Sequence, residues 1–282
     1  MTGRKLAIFD IDGTIAIKGK IPPEVLKGLM RMQDNGFLTT ISTGRGYVRA
    51  KEVLGDSFTE IISADSFMIV EHGAKIVDRD GNVIRADYFK ENELDHVTDF
   101  CKVNKDMVRL MWFMSPDISV PVQVWCKYPE DIPSETEKRG HYAELFSCSF
   151  EELRERLNAF LISSISVKLE PFILVENLKL HFTRSELDVV FQDGMMEFLR
   201  NIADKGKAIQ FLESHFKVQV ADMLLAGNAI NDVDMLNLEA GKRVLVGEGP
   251  TTEVVLGHLK NIDQVVRVSS PQELGAYLQT IT

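Results

Sequence analysis

Two acids, Asp10 and Asp12, stand two positions apart directly after the apolar run at residues 6–9, in the stretch L-A-I-F-D-I-D-G-T. Carboxylates this close repel each other and call for a cation. All-oxygen donors suit Mg²⁺, which keeps several waters and is held by few carboxylates together with a substrate phosphate. Three other stretches offer complementary groups. Thr43 supplies a hydroxyl, and Gly44 and Arg45 supply main-chain amides expected at a helix N-terminus, where anions settle. Lys205 supplies a fixed positive charge, and Asn228, Asn231 and Asp232 form a further polar cluster. A carboxylate nucleophile, a divalent cation, a lysine and a hydroxyl together can perform phosphoryl transfer.

These groups meet only if the chain brings their segments to one place. Residues 6–9 read as a strand buried on both faces, as in a parallel sheet. Pro22-Pro23-Glu24 opens a helix whose Val25, Leu29 and Met32 share a face, and Asn35-Gly36 ends it. Residues 37–43 are strand-like, and a helix is expected from Gly44-Arg45 to about Leu54. Residues 61–62 and 67–70 read as short strands. Strands alternating with helices predict a parallel sheet, whose ligands gather at the strands' carboxyl ends. The alternation returns after about residue 203, with strands at 223–226, 243–246 and 265–268 and helices near 205, 232–238 and 270.

Between them the pattern changes. Residues 75–86 predict a hairpin turning at Asp80-Gly81. A helix at 91–103 precedes strands at 107–114 and 118–125. Ser149 and Glu152 form a capping box for a helix with Leu153 and Leu157 on its apolar face. Strands are expected again at 166–175 and 178–183. Strands next to strands predict an α+β unit inserted into an α/β domain built from both chain ends.

Composition removes other classes. The net charge of −10 repels nucleic acid, and no basic stripe interleaved with aromatics is present. No apolar run approaches the ~20 residues of a membrane span, and the run before Asp10 is too short for a signal peptide, so a cytoplasmic protein is expected. The three cysteines, Cys101, Cys126 and Cys148, form no C-x-x-C pair and are expected to be reduced.

The stretches D-I-D-G-T (10–14), S-T-G-R (42–45), K-G-K-A (205–208) and G-N-A-I-N-D (227–232) resemble the four ordered motifs of the haloacid dehalogenase superfamily of phosphatases. The insertion between the second and third resembles the α/β cap of the Cof-type branch, which also holds sugar-phosphate phosphatases, sucrose-phosphate phosphatases and phosphomannomutases. The resemblance implies a three-layer, Rossmann-like α/β core over 1–82 and 203–282. It also implies an α+β cap over 83–202 that closes on the active edge and selects the leaving group.

The resemblance also implies roles. Asp10 attacks phosphorus and forms an aspartyl-phosphate, while Asp12 protonates the leaving oxygen and later activates water. Thr43 and Lys205 hold phosphoryl oxygens, with Gly13, Gly44, Arg45 and Asn231 around the phosphate. Asp10, Asp12 through its carbonyl, Asn228 and Asp232 hold Mg²⁺. Lys207 competes with Lys205, and the resemblance favours Lys205. Arg45 is open between a phosphate contact and a surface ion pair. The family's fourth motif reads G-D-x-x-N-D, and Asn228 replaces its first acid, which predicts weaker metal binding. The implied activity is Mg²⁺-dependent hydrolysis of a small sugar or polyol phosphate. The alternatives are a phosphomutase, or a protein that binds a phosphorylated metabolite without turning it over. In the insertion, Trp112 and Trp125 are expected in the core rather than stacked on a sugar, and Lys127, Arg139 and His141 lie in a polar stretch within reach of a substrate.

Overall fold

The computed structural model describes residues 5–115, 117–170, 187–192, 194–200 and 204–282. Two compact units emerge: Met1–Arg85 with Asp204–Thr282, and Ala86–Ala203.

The first unit is built on a parallel sheet of strands Val265–Val268, Lys242–Val246, Met223–Gly227, Lys5–Phe9 and Phe37–Ile41, in that spatial order. Its two central strands, Lys5–Phe9 and Met223–Gly227, are almost wholly buried, as an apolar run covered on both faces must be. The helix Pro23–Asp34 starts with proline in its first turn and buries Val25, Leu29 and Met32, as its spacing predicts. Leu212, Met235 and Val255, from three helices, fill the core against Leu6, Ile8 and Leu225.

A small sheet of Phe67–Val70, Lys75–Asp78 and Val83–Ala86 completes this unit. Asp78 organises the hairpin turn, its Oδ1 accepting from the N–H groups of Asp80 and Asn82 at 2.9 and 2.8 Å. Two expectations are corrected here. Residues 61–62 are no strand: Phe58–Ile61 is a helical turn, and two adjacent isoleucines carry no periodicity to separate the two states. The helix expected from Gly44 begins at Tyr47, with Gly46 as its N-cap.

In the second unit, a six-stranded sheet runs Leu187–Gln192, Met195–Arg200, Ser164–Leu169, Val108–Met114, Val122–Cys126, Ala143–Phe146. Helices Glu91–Val103 and Phe150–Leu157 cover one face around Val97, Phe113, Trp125, Leu153 and Phe198. The Ser149 capping box is present, with Ser149 Oγ accepting from Glu152 N–H at 3.2 Å and Glu152 Oε2 from Ser149 N–H at 2.9 Å. Trp112 and Trp125 are both buried, as expected for core residues.

The polar stretch after Cys126 is not all loop. It holds the helix Ile132–Arg139 and the strand Ala143–Phe146, which pairs parallel to Val122–Cys126. Lys127 there meets Glu170 at 3.5 Å. The side chains of Arg139 and His141, and the strand expected at 178–183, lie outside the described residues. Cys101, Cys126 and Cys148 are free thiols. Among the described residues no helix is long and apolar enough to cross a membrane.

Candidate active site

Three neighbouring parallel strands deliver their polar termini to one edge. Asp10 follows Lys5–Phe9, Thr43 follows Phe37–Ile41 and Asn228 follows Met223–Gly227. Asp10 stays tied to the sheet, its N–H donating to the Ala226 carbonyl at 2.9 Å. The chain then turns tightly, with the N–H groups of Thr14, Ile15 and Ala16 converging on the Ile11 carbonyl. Gly13 takes φ 81° in this turn, a value that penalises residues bearing a Cβ. A Cβ on Gly13 would also lie 2.3 Å from Asn228 Nδ2. Gly13→Ala is therefore expected to lower stability by about 1–2 kcal/mol and displace Asn228; a chemical melt, together with Mg²⁺ titration of the folded variant, checks both.

Lys205 enters from the first turn of Lys205–Phe216, a helix capped by Asp204, whose Oδ1 accepts from Lys207 N–H at 2.7 Å. Its buried ammonium donates to Asp10 Oδ1 at 2.8 Å and to Asp232 Oδ1 at 2.6 Å. Lys207 instead pairs with Asp204 on the surface. Burial raises the Asp10 carboxyl from 3.8 to about 6; Lys205 pulls it down and Asp232 pushes it back up. Burial alone would lower the Lys205 ammonium, but the two carboxylates outweigh it and raise it, so this lysine stays charged.

Asp232 has both oxygens engaged. Oδ2 accepts from the N–H groups of Asn228 and Ala229 at 2.8 and 3.0 Å, while Oδ1 serves Lys205. Asp232 thus sits beside the ammonium with both of its oxygens accepting from N–H groups. Asn228 Oδ1 accepts from Thr14 Oγ1 at 3.2 Å, which brings the fourth motif against the first. Among the described residues no three His, Cys, Asp or Glu side chains are grouped for a metal. Asp10, Asp12, Asn228 and Asp232 at this edge offer carboxylate, amide and main-chain oxygens, chemistry that fits Mg²⁺. Asn231 Oδ1 is buried with no hydrogen-bond partner among the described residues.

Asp12 and Arg45 face each other. Arg45 Nε donates to Asp12 Oδ2 at 2.6 Å and Nη2 to Oδ1 at 2.9 Å, and this pairing holds the guanidinium more firmly protonated. Gly44 and Arg45 do not form the helix N-terminus expected of them. They lie in a bend two residues earlier, where the Arg45 N–H donates to Thr43 Oγ1 at 3.2 Å.

Glu71-His72-Gly73, which the sequence explains as a glycine turn after a strand end, has a part in this edge. The turn Glu71–Gly73 braces the Thr43 loop, with Glu71 N–H donating to Arg45 O and His72 N–H to Thr43 O, both at 3.0 Å. Glu71 and His72 both have positive φ, near 53° and 55°. Glu71 is pinned by Lys75 at 2.7 Å, each side chain only 2% exposed. The His72 ring lies so close to Gly44 that a Cβ there would stand 2.2 Å from Nε2. The glycine in E-H-G signals a turn, but nothing local tells that its two preceding residues also take the left-handed conformation.

The sequence model of the haloacid dehalogenase-like hydrolases matches residues 7–254. An HMP-PP phosphatase of Serratia proteamaculans (strain 568) is 26% identical over 98% of this chain and 94% of its own length. One from Yersinia enterocolitica is 25% identical over the same shares. Among solved structures, a haloacid dehalogenase-like hydrolase from B. subtilis superposes with a TM-score of 0.77 at 17% identity, over 99% of this chain and 100% of that one. A subclass IIB sugar phosphatase of the same superfamily gives a TM-score of 0.73 at 21% identity, over 96% and 95%.

Proposed function

The chain belongs to the haloacid dehalogenase-like hydrolases and is a phosphatase of small phosphate esters, and from that premise we propose that it hydrolyses a sugar or other polyol monophosphate with the help of Mg²⁺. The observation that carries the reading is the Lys205 ammonium held between Asp10 and Asp232. It keeps a fixed positive charge beside a buried carboxylate at a sheet's carboxyl edge, an arrangement suited to a nucleophile that must approach a phosphoryl dianion.

In the first step an Asp10 oxygen attacks phosphorus. The bond to the leaving oxygen breaks, and that oxygen takes a proton from Asp12 and departs as an alcohol. In the second, a water oxygen attacks the same phosphorus while Asp12 takes its proton. The bond to Asp10 breaks, inorganic phosphate leaves, and Asp10 is again a carboxylate. Lys205 and the Thr43 hydroxyl hold phosphoryl oxygens throughout, and Gly13, Gly44 and Asn231 line the phosphate. Asp10, the Asp12 carbonyl, Asn228 and Asp232 would hold Mg²⁺, which when bound supplies positive charge against those oxygens. The unit Ala86–Ala203 carries the choice of leaving group.

Phosphate release from a panel of sugar phosphates, small polyol phosphates and HMP-PP, with titrated Mg²⁺, tests the proposal. Release of one phosphate per ester consumed separates hydrolysis from a phosphomutase. Turnover of no polyol phosphate, or turnover indifferent to Mg²⁺, removes the corresponding part of it.

Asn228 gives a sharper test of the metal. Asn228→Asp restores a negative charge beside Asp10 while its oxygens can still accept from Thr14. Mg²⁺ binding measured by calorimetry should tighten about tenfold, roughly 1.4 kcal/mol. An unchanged affinity would remove Asn228 from the metal's donors.

A further inference from the structure

Arg45 and Asp12 make a two-point contact, Nε to Oδ2 at 2.6 Å and Nη2 to Oδ1 at 2.9 Å. Such a fork fixes the plane of a carboxylate as well as its position. Both partners are anchored behind the contact. The Arg45 N–H is bonded to Thr43 Oγ1 and its carbonyl to Glu71 N–H. Glu71 in turn is held by its buried pair with Lys75. Asp12 sits in the turn closed on the Ile11 carbonyl.

The contact itself is open to solvent, the Asp12 side chain being 49% and that of Arg45 31% exposed. Asp10, at 5%, is enclosed by contrast. A group that delivers a proton to a leaving oxygen needs access from outside together with a fixed direction. The turn provides the access. Among the described residues, the side chain that provides the direction is Arg45.

We propose that Arg45 is a positioning residue that aims the Asp12 carboxyl at the leaving-group oxygen, acting through Asp12 rather than through the phosphate. The inference rests on the reading of Asp12 as proton donor in the first step. There the proton passes from an Asp12 oxygen to the leaving oxygen as the phosphorus–oxygen bond breaks. Oδ1, on the longer of the two N–H contacts, is the oxygen that serves while Oδ2 stays tied to Nε. The Nη2 contact is released as Oδ1 carries the proton, and the shorter Nε contact keeps the carboxyl's direction. A lysine has no planar fork and cannot replace the geometry.

The test is kcat and KM for 4-nitrophenyl phosphate and phenyl phosphate on the wild type, Arg45→Gln, Arg45→Lys and Asp12→Asn. Nitrophenolate leaves without a proton, whereas phenolate, the poorer leaving group, profits from one. Arg45→Gln is expected to lower kcat/KM, which reports formation of the aspartyl-phosphate and not the water step common to both esters, by about 30-fold on phenyl phosphate and by less than about threefold on 4-nitrophenyl phosphate. Arg45→Lys, which keeps the charge, carries the same expectation. Adding Arg45→Gln to Asp12→Asn should bring no further loss. Equal losses of kcat/KM on both esters would make Arg45 a phosphate contact and overturn the proposal. Unchanged or faster turnover of phenyl phosphate would overturn it too. If the wild type releases phosphate neither from these esters nor from the sugar and polyol phosphates with Mg²⁺, the reading of Asp10 and Asp12 fails first, which is visible without any Arg45 variant.

Discussion

Asp10→Asn is expected to abolish phosphate release while leaving the protein folded. An amide oxygen is a far weaker nucleophile than a carboxylate, and loss of a covalent nucleophile costs on the order of 10³-fold or more. The fold should tolerate the change, because Lys205 keeps Asp232 as a partner at 2.6 Å and the replacement has the same shape. Phosphate assays of both forms, with a thermal melt of each, check this; activity above about a tenth of wild type would remove Asp10 from the reaction.

The wild-type pH profile follows from the same residue. As the proposed nucleophile Asp10 must be ionised to attack, and its burial raises its carboxyl to about 6. Without added metal, turnover should therefore fall as pH drops through that region. Rising Mg²⁺ should move the limb to lower pH, since a cation favours the carboxylate. A limb that ignores Mg²⁺ would separate Asp10 from the metal.

Lys205→Met should produce the largest loss of stability in the chain's active edge. The ammonium is buried and carries two carboxylates. Removing one partner of a buried ion pair strands the charge that remains, at about 3–5 kcal/mol. In a chain of this size that corresponds to a fall in Tm on the order of 10 °C near pH 7.

The loss should depend on pH, and its sign is fixed. A carboxyl with a raised pKa binds its proton in the folded state before the unfolded chain does, so its effect on stability becomes more unfavourable as pH rises through that window. Lys205 is what draws the Asp10 carboxyl back down. Without it the window extends upward and the variant loses more stability toward neutral pH. The gap to wild type should be small near pH 5 and wide near pH 8. Melts of both proteins at those two values decide the matter, and a gap that does not change with pH would mean that Lys205 is not compensating these carboxylates. In the proposed mechanism Lys205 also holds a phosphoryl oxygen, so turnover should vanish with the same substitution.

Much of this edge was legible from the chain itself. The buried strand Lys5–Phe9, the two acids beyond it, the glycine forced by a tight turn and the capping box at Ser149 are all local events. They depend on backbone sterics and on groups three or four residues apart, which one stretch of sequence contains. The order of the four motifs brought Thr43, Lys205 and Asn228 to the same strand edge because a parallel sheet leaves little choice of where its ligands go.

The choice of partners was not legible. Asp232 turns its oxygens to Lys205 and to the N–H groups of Asn228 and Ala229, which no spacing in the chain announces. Arg45, open between phosphate and ion pair, turns to Asp12, 33 positions away. Glu71 and Lys75 are only four apart, yet nothing in E-H-G-A-K tells that both charges are buried together. At residues 61–62 Ile61 ends a helical turn that packs beside the helix Pro23–Asp34, and Ile62 leaves it in an extended conformation. The sequence alone determined which residue types reach the edge, since strand ends, turns and caps are set by neighbours along the chain. Only the tertiary structure decided which charge meets which, since Lys205 lies 195 positions from Asp10 and several carboxylates compete for each cation until packing fixes the distances.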